Sequence, residues 1–136
     1  MANLIRFDEA PRVARGDGIE SVPLTPAPLP EQGFIMGITS FPPGAAIPIH
    51  SHNTIEQVTV VEGEGVAELN GEQRPARPFD TTQIAPGEYH RFINTGDAVM
   101  RILWVYGSTH VTRTFAESGE TVELFDHRTP ETPPES

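Results

Sequence analysis

The sequence predicts an all-β domain, and three observations support that fold class. A chain of 136 residues has the length expected for one domain with one hydrophobic core. Its 14 prolines and 12 glycines favour many turns and oppose long helices. From Phe34 onwards, roughly eight to ten short apolar stretches are separated by turn residues at intervals of about eight to twelve residues. This spacing is typical of a β-sandwich or a closed barrel.

The predicted strands follow one another with recognisable turns between them. The first, FIMGITSF, ends at the Pro-Pro-Gly turn of residues 42–44, and AIPIHSH and EQVTVVEG come next. Asn70-Gly71 is a strong signal for a two-residue hairpin turn. TTQIAPGEYHRFIN reads as a strand, a Pro86-Gly87 turn and a second strand. The most apolar segment, AVMRILWVYG, and then HVTRTF complete the predicted sheet strands.

Three parts are predicted along the single domain. Residues 1–33 form an irregular N-terminal arm, because the prolines of VPLTPAPLPEQG prevent a helix there. Within the arm, ANLIRF is a candidate for a short edge strand or a strand swapped with a neighbour. Residues 34–115 form the β-barrel. Residues 116–136 form a C-terminal extension, whose polar and proline-rich tail HRTPETPPES is expected to be disordered.

Composition excludes several classes of function. Without cysteine, the chain can form neither disulfides nor thiolate metal sites, and all nine basic residues are arginine, so Schiff-base chemistry on lysine is excluded. A formal net charge of −10 opposes binding to nucleic acid and to anionic membranes. The first residues lack the apolar segment of a secretory signal, and no run of about 18 apolar residues follows. A cytoplasmic location is therefore the expectation.

The stretch GAAIPIHSHNTIEQVTVVEG places three candidate metal ligands close together. His50 and His52 share one face of a strand, because alternate side chains of a strand point the same way. Glu56 opens the next strand, which is expected to pair beside the first one. Val58 and Val60 follow Glu56 on its face, so the site is expected to lie inside the molecule. The alternative to a metal site is a polar patch with a surface histidine pair, and this alternative is favoured if the pair is considered alone.

A fourth candidate ligand follows the Pro86-Gly87 turn. His90 shares its face of the predicted strand with Phe92 and Asn94. Taken alone, His90 reads better as a core histidine whose hydrogen bonds are satisfied. It becomes a candidate ligand because the first motif supplies three others.

These two segments resemble the paired motifs of the cupin superfamily. The first family motif, G-x5-H-x-H-x3,4-E-x6-G, is matched at every position by Gly44, His50, His52, Glu56 and Gly63. The second, G-x5-P-x-G-x2-H-x3-N, is matched at Gly87, His90 and Asn94. It departs at its proline, which is Pro86 and adjoins Gly87, and at its leading glycine, where Phe79 stands. Both departures concern turns and leave the four candidate ligands in place.

The resemblance implies a cupin double-stranded β-helix, which is a jelly-roll barrel. It also implies one divalent transition metal, of which Fe, Mn, Ni, Co, Cu and Zn all suit imidazole and carboxylate ligands. The implied ligands are His50, His52, Glu56 and His90. A homodimer and a small-molecule ligand or substrate are implied as well.

Two classes of function are compatible with that resemblance. The first is a metal-dependent enzyme that acts on a small, oxygen-rich organic substrate, with a dioxygenase favoured over an isomerase or lyase. The alternative is a non-catalytic cupin in which the metal braces a barrel that binds or senses a small ligand. No general acid or base is assigned from the sequence.

The strand AVMRILWVY carries further residues that face inward. Arg101 marks the outer face, so the inner face consists of Met100, Ile102, Trp104 and Tyr106. For Trp104 and Tyr106, packing in the core is favoured over a role in a pocket. Gln57 and Arg91 alternate away from the candidate ligands and are expected at the surface.

Overall fold

Twelve short strands and one 3-10 turn at Phe7–Glu9 are the regular elements of the computed structural model, which describes residues 2–125. The strands are β1 Val13–Gly16, β2 Ile19–Pro23, β3 Ile35–Phe41, β4 His50–His52, β5 Glu56–Glu62, β6 Gly65–Leu69, β7 Glu72–Ala76, β8 Thr81–Ile84, β9 His90–Ile93, β10 Met100–Tyr106, β11 Thr112–Phe115 and β12 Thr121–Glu123. The all-β prediction is confirmed. Nothing helical within residues 2–125 is long and apolar enough to cross a membrane.

The strands form two six-stranded antiparallel sheets that face each other. The first sheet has the order β1-β2-β3-β10-β5-β8, and the second has the order β12-β11-β4-β9-β6-β7. Consecutive strands often lie in different sheets, as β3, β4 and β5 do, so the chain crosses repeatedly from one sheet to the other. This connectivity is that of a jelly roll, and it confirms the predicted fold.

The core lies between the sheets and is built by strict alternation along the longest strands. On β10 the inward residues Met100, Ile102, Trp104 and Tyr106 are buried, as predicted. On β5 the buried Val58 and Val60 alternate with more exposed neighbours. Gly37 makes room for the ring of Trp104, because a Cβ atom there would lie 2.2 Å from that ring. The predicted turns also form, and Asn70 and Gly71 both have positive φ, as a two-residue hairpin requires.

Asn94 holds two loops together at the end of the barrel. Its side chain is fully buried, and its Nδ2 donates to the carbonyl oxygens of Phe41 and Ala98 at 2.9 and 2.8 Å. Its Oδ1 accepts a hydrogen bond from the backbone N–H of Gly96 at 3.0 Å. Both N–H donors and the carbonyl oxygen of this buried amide therefore have partners within the protein.

The N-terminal segment contains a hairpin that extends the first sheet. Strands β1 and β2 pair with each other, and β2 pairs with β3. Residues 2–7 form no strand in the single chain, and Leu4 is 71% exposed. A strand of ANLIRF swapped with a neighbouring molecule stays a prediction. The expected disorder of HRTPETPPES, including His127, lies outside the described residues. The division into arm, barrel and extension stays a prediction.

Candidate metal centre

Three histidines converge at one end of the space between the sheets. His50 and His52 lie on β4, and His90 lies directly opposite His50 on the neighbouring strand β9. All three side chains are buried, and one ring nitrogen from each lies within 4.8 Å of the others. The ring centroids of His50 and His52 are 4.8 Å apart, which confirms that the two residues share a face.

Hydrogen bonds to the backbone fix the orientation of all three imidazoles. Each Nδ1 lies within hydrogen-bonding distance of a carbonyl oxygen. Because a carbonyl oxygen only accepts hydrogen bonds, each Nδ1 carries the hydrogen, and in the neutral ring Nε2 offers a lone pair. Such backbone support is the usual way in which a metal-binding histidine is oriented. The three bonds are His50 to Pro48 at 2.8 Å, His52 to Thr112 at 3.0 Å and His90 to Glu88 at 3.0 Å.

Glu56 reaches the histidines from the facing sheet. Its Oε1 lies 3.1 Å from Nε2 of His90 and 3.6 Å from Nε2 of His52. The expectation that β5 pairs beside β4 is wrong, since β5 pairs with β10 and β8 in the first sheet. The bend at residues 53–55 carries the chain across, and the Asn53 side chain ties that bend to the backbone at residues 110 and 112. Both sheets therefore contribute to the cluster.

The chemistry of these groups fits a divalent transition metal. His50, His52 and His90 could together hold a metal ion. When all three rings carry their hydrogen on Nδ1, the buried Oε1 of Glu56 has no hydrogen-bond donor within residues 2–125, although a buried carboxylate oxygen normally has one. Three imidazole lone pairs are borderline donors and the carboxylate oxygen is a hard donor, and this combination suits such a metal.

Burial and mutual repulsion set the protonation of the cluster. Burial, together with the charges of the other two histidines, holds the pKa of His50 well below its ordinary value. Burial also lowers the pKa of His52, although Glu56 opposes that shift. Burial would lower the pKa of His90 too, but the hydrogen bond and charge of Glu56 outweigh it and raise that pKa. His50 and His52 are therefore neutral at neutral pH, while Glu56 favours the protonated form of His90 in the metal-free protein.

Tyr106 completes the polar end of the cavity. Its hydroxyl lies 3.3 Å from Nε2 of His52, and its ring packs edge-on to that histidine at 4.8 Å between centroids. Burial, followed by the charge of Glu56, raises the pKa of Tyr106 well above its ordinary value, so the hydroxyl keeps its proton. The core packing favoured from the sequence is correct, but Tyr106 also lines the cavity beside the histidines.

A small cavity of about 40 Å³ adjoins the cluster. Its walls are mainly apolar, and Leu124 and Phe125 from the segment after β12 also line it. The volume is enough for a few water molecules. Low-dielectric walls of this kind strengthen the interaction of an ion with its ligands and limit the access of water.

Arg113 is a cavity residue that the sequence analysis missed. It lies on β11 directly opposite His52 on β4, and it is 1% exposed. A signal was available, because Val111, Arg113 and Phe115 alternate in sequence and all three are buried. The outward residues behave as expected: Gln57 is exposed, and Arg91 forms an ion pair with Glu68.

Comparison with known proteins places this architecture in a family. The family model described as Cupin domain matches residues 37–106. Protein SchB of Streptomyces halstedii is 31% identical over 107 residues, which are 78% of this chain and 78% of that protein. A 5-nitrosalicylic acid 1,2-dioxygenase of a Bradyrhizobium species is 34% identical over 65 residues, which are 48% of this chain. The matched region spans only 31% of the length of that dioxygenase.

Solved structures share the fold. A sugar phosphate isomerase of the cupin superfamily from Silicibacter pomeroyi superposes with a TM-score of 0.73. The superposition covers 94% of this chain and 96% of the isomerase, at 22% sequence identity. At that identity the likeness concerns the fold.

Proposed function

Because the chain belongs to the cupin family, we propose that it is a metal-dependent enzyme that acts on a small, oxygen-rich organic substrate. The observation that supports this proposal most is the convergence of three imidazoles, each oriented by a backbone hydrogen bond, beside a buried carboxylate. A bound divalent transition metal supplies Lewis-acid or redox chemistry. The proposed ligands are the four side chains that converge in the cavity: His50, His52, Glu56 and His90.

The residues around the cluster have roles of their own in this proposal. The apolar side chains of Phe92, Ile102 and Trp104 keep bulk water from the reacting atoms. Tyr106 holds its proton beside the histidines, so its hydroxyl can donate a hydrogen bond to a substrate oxygen. Glu56 would supply a metal ligand from the facing sheet, so a bound ion would link the two sheets.

Oxidation is the reaction class that we place first. The 34% identity to a protein named 5-nitrosalicylic acid 1,2-dioxygenase supports a dioxygenase acting on an aromatic or enolic substrate. Isomerase or lyase chemistry is the next alternative, because an ion that polarises a carbonyl stabilises an enolate without any oxidant.

The test is metal-dependent turnover of a substrate panel. Tag-free protein is stripped of metal, reloaded with one ion at a time, and assayed with diketones, catechols, hydroxybenzoates, flavonols and keto-sugars under air and under nitrogen. We expect activity that disappears on chelation, returns with one metal, and requires oxygen. His52→Ala removes this activity, whereas His110→Ala retains it, because His110 is an exposed histidine paired with Glu123. Activity that survives both chelation and His52→Ala would contradict the proposal.

A second candidate is a metal-braced binding or sensing protein without catalysis. The small cavity favours it, because about 40 Å³ leaves little room for a substrate unless the residues around the cavity move. Under this alternative, chelation lowers the midpoint of thermal unfolding while no member of the panel is turned over with any metal. Metal-dependent turnover of any one compound of the panel would show that the protein is an enzyme and exclude the non-catalytic alternative.

A further inference from the structure

Arg113 brings a positive charge into the same cavity as the histidines. Its position on β11 is opposite His52, where directly facing Cβ atoms of antiparallel strands lie about 4.5–5.5 Å apart. The side chain is 1% exposed and lines the cavity. Arg15 on β1 lines the cavity from the other sheet. The protein as a whole is strongly acidic, with a net charge of −10, yet two arginines line its cavity.

The guanidinium of Arg113 lacks the partners that buried arginines normally have. Within residues 2–125, its Nε and Nη2 atoms are buried and form no hydrogen bond. Its described charge contact is with an aromatic ring: the Cζ atom lies 5.2 Å from the centroid of Phe115. Other arginines form ion pairs with carboxylates, as Arg91 does with Glu68 and Arg101 with Glu62.

The energetic imbalance at Arg113 is large. Burying a charge without a partner costs several kcal/mol even after the protein relaxes. A desolvated cation over an aromatic ring recovers only about 2 kcal/mol. An anion that enters the cavity would therefore gain a charge-assisted interaction with donors that are already desolvated and held in place. Such preorganised, unpaired donors are a feature of binding sites.

We propose that Arg113 is the carboxylate-binding residue of this cavity, and that the substrates of the protein are small organic carboxylates. The inference that the carboxylate belongs to a substrate rests on the proposed function, since the reacting part of the molecule must lie at the histidine cluster. Binding of the carboxylate itself requires Arg113 and movement of the residues around the small cavity, but no metal. The two proposals can therefore fail separately.

Carboxylate suits this cavity better than phosphate does. The guanidinium fork matches the planar geometry of a carboxylate, and two parallel N–H groups can bind its two oxygens. A phosphate has more oxygens to satisfy, and two of the hydroxyl groups that line the cavity are already engaged. Ser21 and Thr39 bond to each other at 2.8 Å, and Thr39 accepts a hydrogen bond from Trp104 at 2.8 Å. The remaining walls are largely apolar, which suits the carbon skeleton of an organic acid.

Titration calorimetry with pyruvate tests the proposal on the full chain, both metal-free and reloaded with Mn²⁺. Methyl pyruvate is the uncharged comparison, and inorganic phosphate is the second anion. The variants are Arg113→Gln and Arg113→Met, with Arg74→Gln as the matched control. Arg74 carries the same charge but is exposed on β7, where it pairs with Glu72. Thermal unfolding of each variant shows whether it is folded.

We expect pyruvate to bind the wild type in both metal states and to bind at least about 10-fold more weakly to both Arg113 variants. Arg74→Gln binds like the wild type, and methyl pyruvate binds at least about 10-fold more weakly than pyruvate. Arg113→Met nearly conserves side-chain volume, so it remains folded if Arg113→Gln does not.

Several results would overturn the carboxylate site. Two concern pyruvate and the wild type: no binding at about 10 mM pyruvate, or binding that requires Mn²⁺. Two concern the other ligands: methyl pyruvate or phosphate that binds as tightly as pyruvate. The last is wild-type affinity for pyruvate in both Arg113 variants. A chain that takes up no metal but binds pyruvate through Arg113 would support this inference and contradict the proposed metalloenzyme.

Discussion

Asn94 and Arg113 are two buried polar side chains that differ in how many of their hydrogen-bonding groups have a partner in the protein. Asn94 donates two hydrogen bonds and accepts one, all with backbone groups. Arg113 leaves Nε and Nη2 without hydrogen-bond partners within residues 2–125. One side chain is satisfied by the protein, and the other is held beside a cavity. The difference distinguishes a residue that stabilises the barrel from one that is available to a ligand.

The same contrast applies to the histidine cluster. Its Nδ1 atoms are satisfied by the backbone, as Asn94 is, while the Nε2 atoms of His52 and His90 lie beside the carboxylate of Glu56. In each imidazole, Nδ1 is therefore used by the fold, and Nε2 is available to a ligand. Replacing residues on the two sides of this division should affect different quantities: folding stability in one case, and binding in the other.

The largest expected effect on folding comes from Asn94→Ala. The change removes all three hydrogen bonds of a fully buried side chain, so we expect a loss of roughly 3 kcal/mol in the free energy of unfolding. Urea denaturation measures it as a lower midpoint. Asn53→Ala is the control, because Asn53 also bonds to two backbone groups but is exposed, and water replaces its bonds. Equal losses in the two variants would remove the distinction drawn for Asn94.

Metal binding should give the next largest effect, and it should depend on the histidines. At a free metal concentration about 100 times the dissociation constant, a bound ion adds about 2.7 kcal/mol to the stability. For a chain of this size the midpoint of thermal unfolding then rises by roughly 5–10 °C. His50→Ala eliminates the rise and His110→Ala keeps it. A rise of equal size in His50→Ala would show that the metal binds elsewhere.

The pH dependence of the metal-free protein should have its origin in the cluster. Burial keeps the pKa of His50 and His52 below 6.5 in the folded state, so the unfolded chain binds more protons as the pH falls below that value. Stability therefore decreases below about pH 6.5, by about 1 kcal/mol per pH unit for each such histidine. The raised pKa of His90 acts in the opposite direction: its contribution is fully present below pH 6.5 and is lost as the pH rises through the folded pKa.

Urea denaturation at a series of pH values from about 7.5 to about 5 measures that dependence. His50→Gln should flatten the decline on the acid side, and Asn94→Ala should shift the whole curve down without changing its slope there. An unchanged acid slope in His50→Gln would mean that His50 titrates alike in the folded and unfolded chain.

The smallest expected effect on folding is that of Arg113→Met. Replacing an unpaired buried charge by an apolar side chain of similar volume leaves stability unchanged or raises it slightly. Thermal unfolding of the metal-free protein measures this change. A loss of more than about 2 kcal/mol would place Arg113 with Asn94, as a residue whose interactions the fold needs.

Much of the fold and part of the site were accessible from sequence, because they depend on local patterns. Strand parity placed His50 and His52 on one face, and Val58 and Val60 in the core. The pairing of β5 was predicted wrongly, since the choice of sheet after a short bend depends on long-range contacts. Arg113 was missed for a related reason. Its significance comes from its position opposite His52 on β4, and these residues are far apart in sequence.

The N-terminal hairpin shows the same limit. Strands β1 and β2 carry only a few apolar residues, and their pairing with β3 decides their structure. Local composition emphasised the prolines and so predicted an irregular segment. Arg15, which reaches the cavity from β1, could not be assigned to the site without that pairing.

The most direct measurement of the central claim is anomalous diffraction from crystals of tag-free protein loaded with a transition metal and recorded at its absorption edge. We predict one strong peak per chain, bonded to Nε2 of the three clustered histidines and to the carboxylate of Glu56. A peak at another place, or no peak at a saturating concentration of the metal, would contradict the metal centre described above.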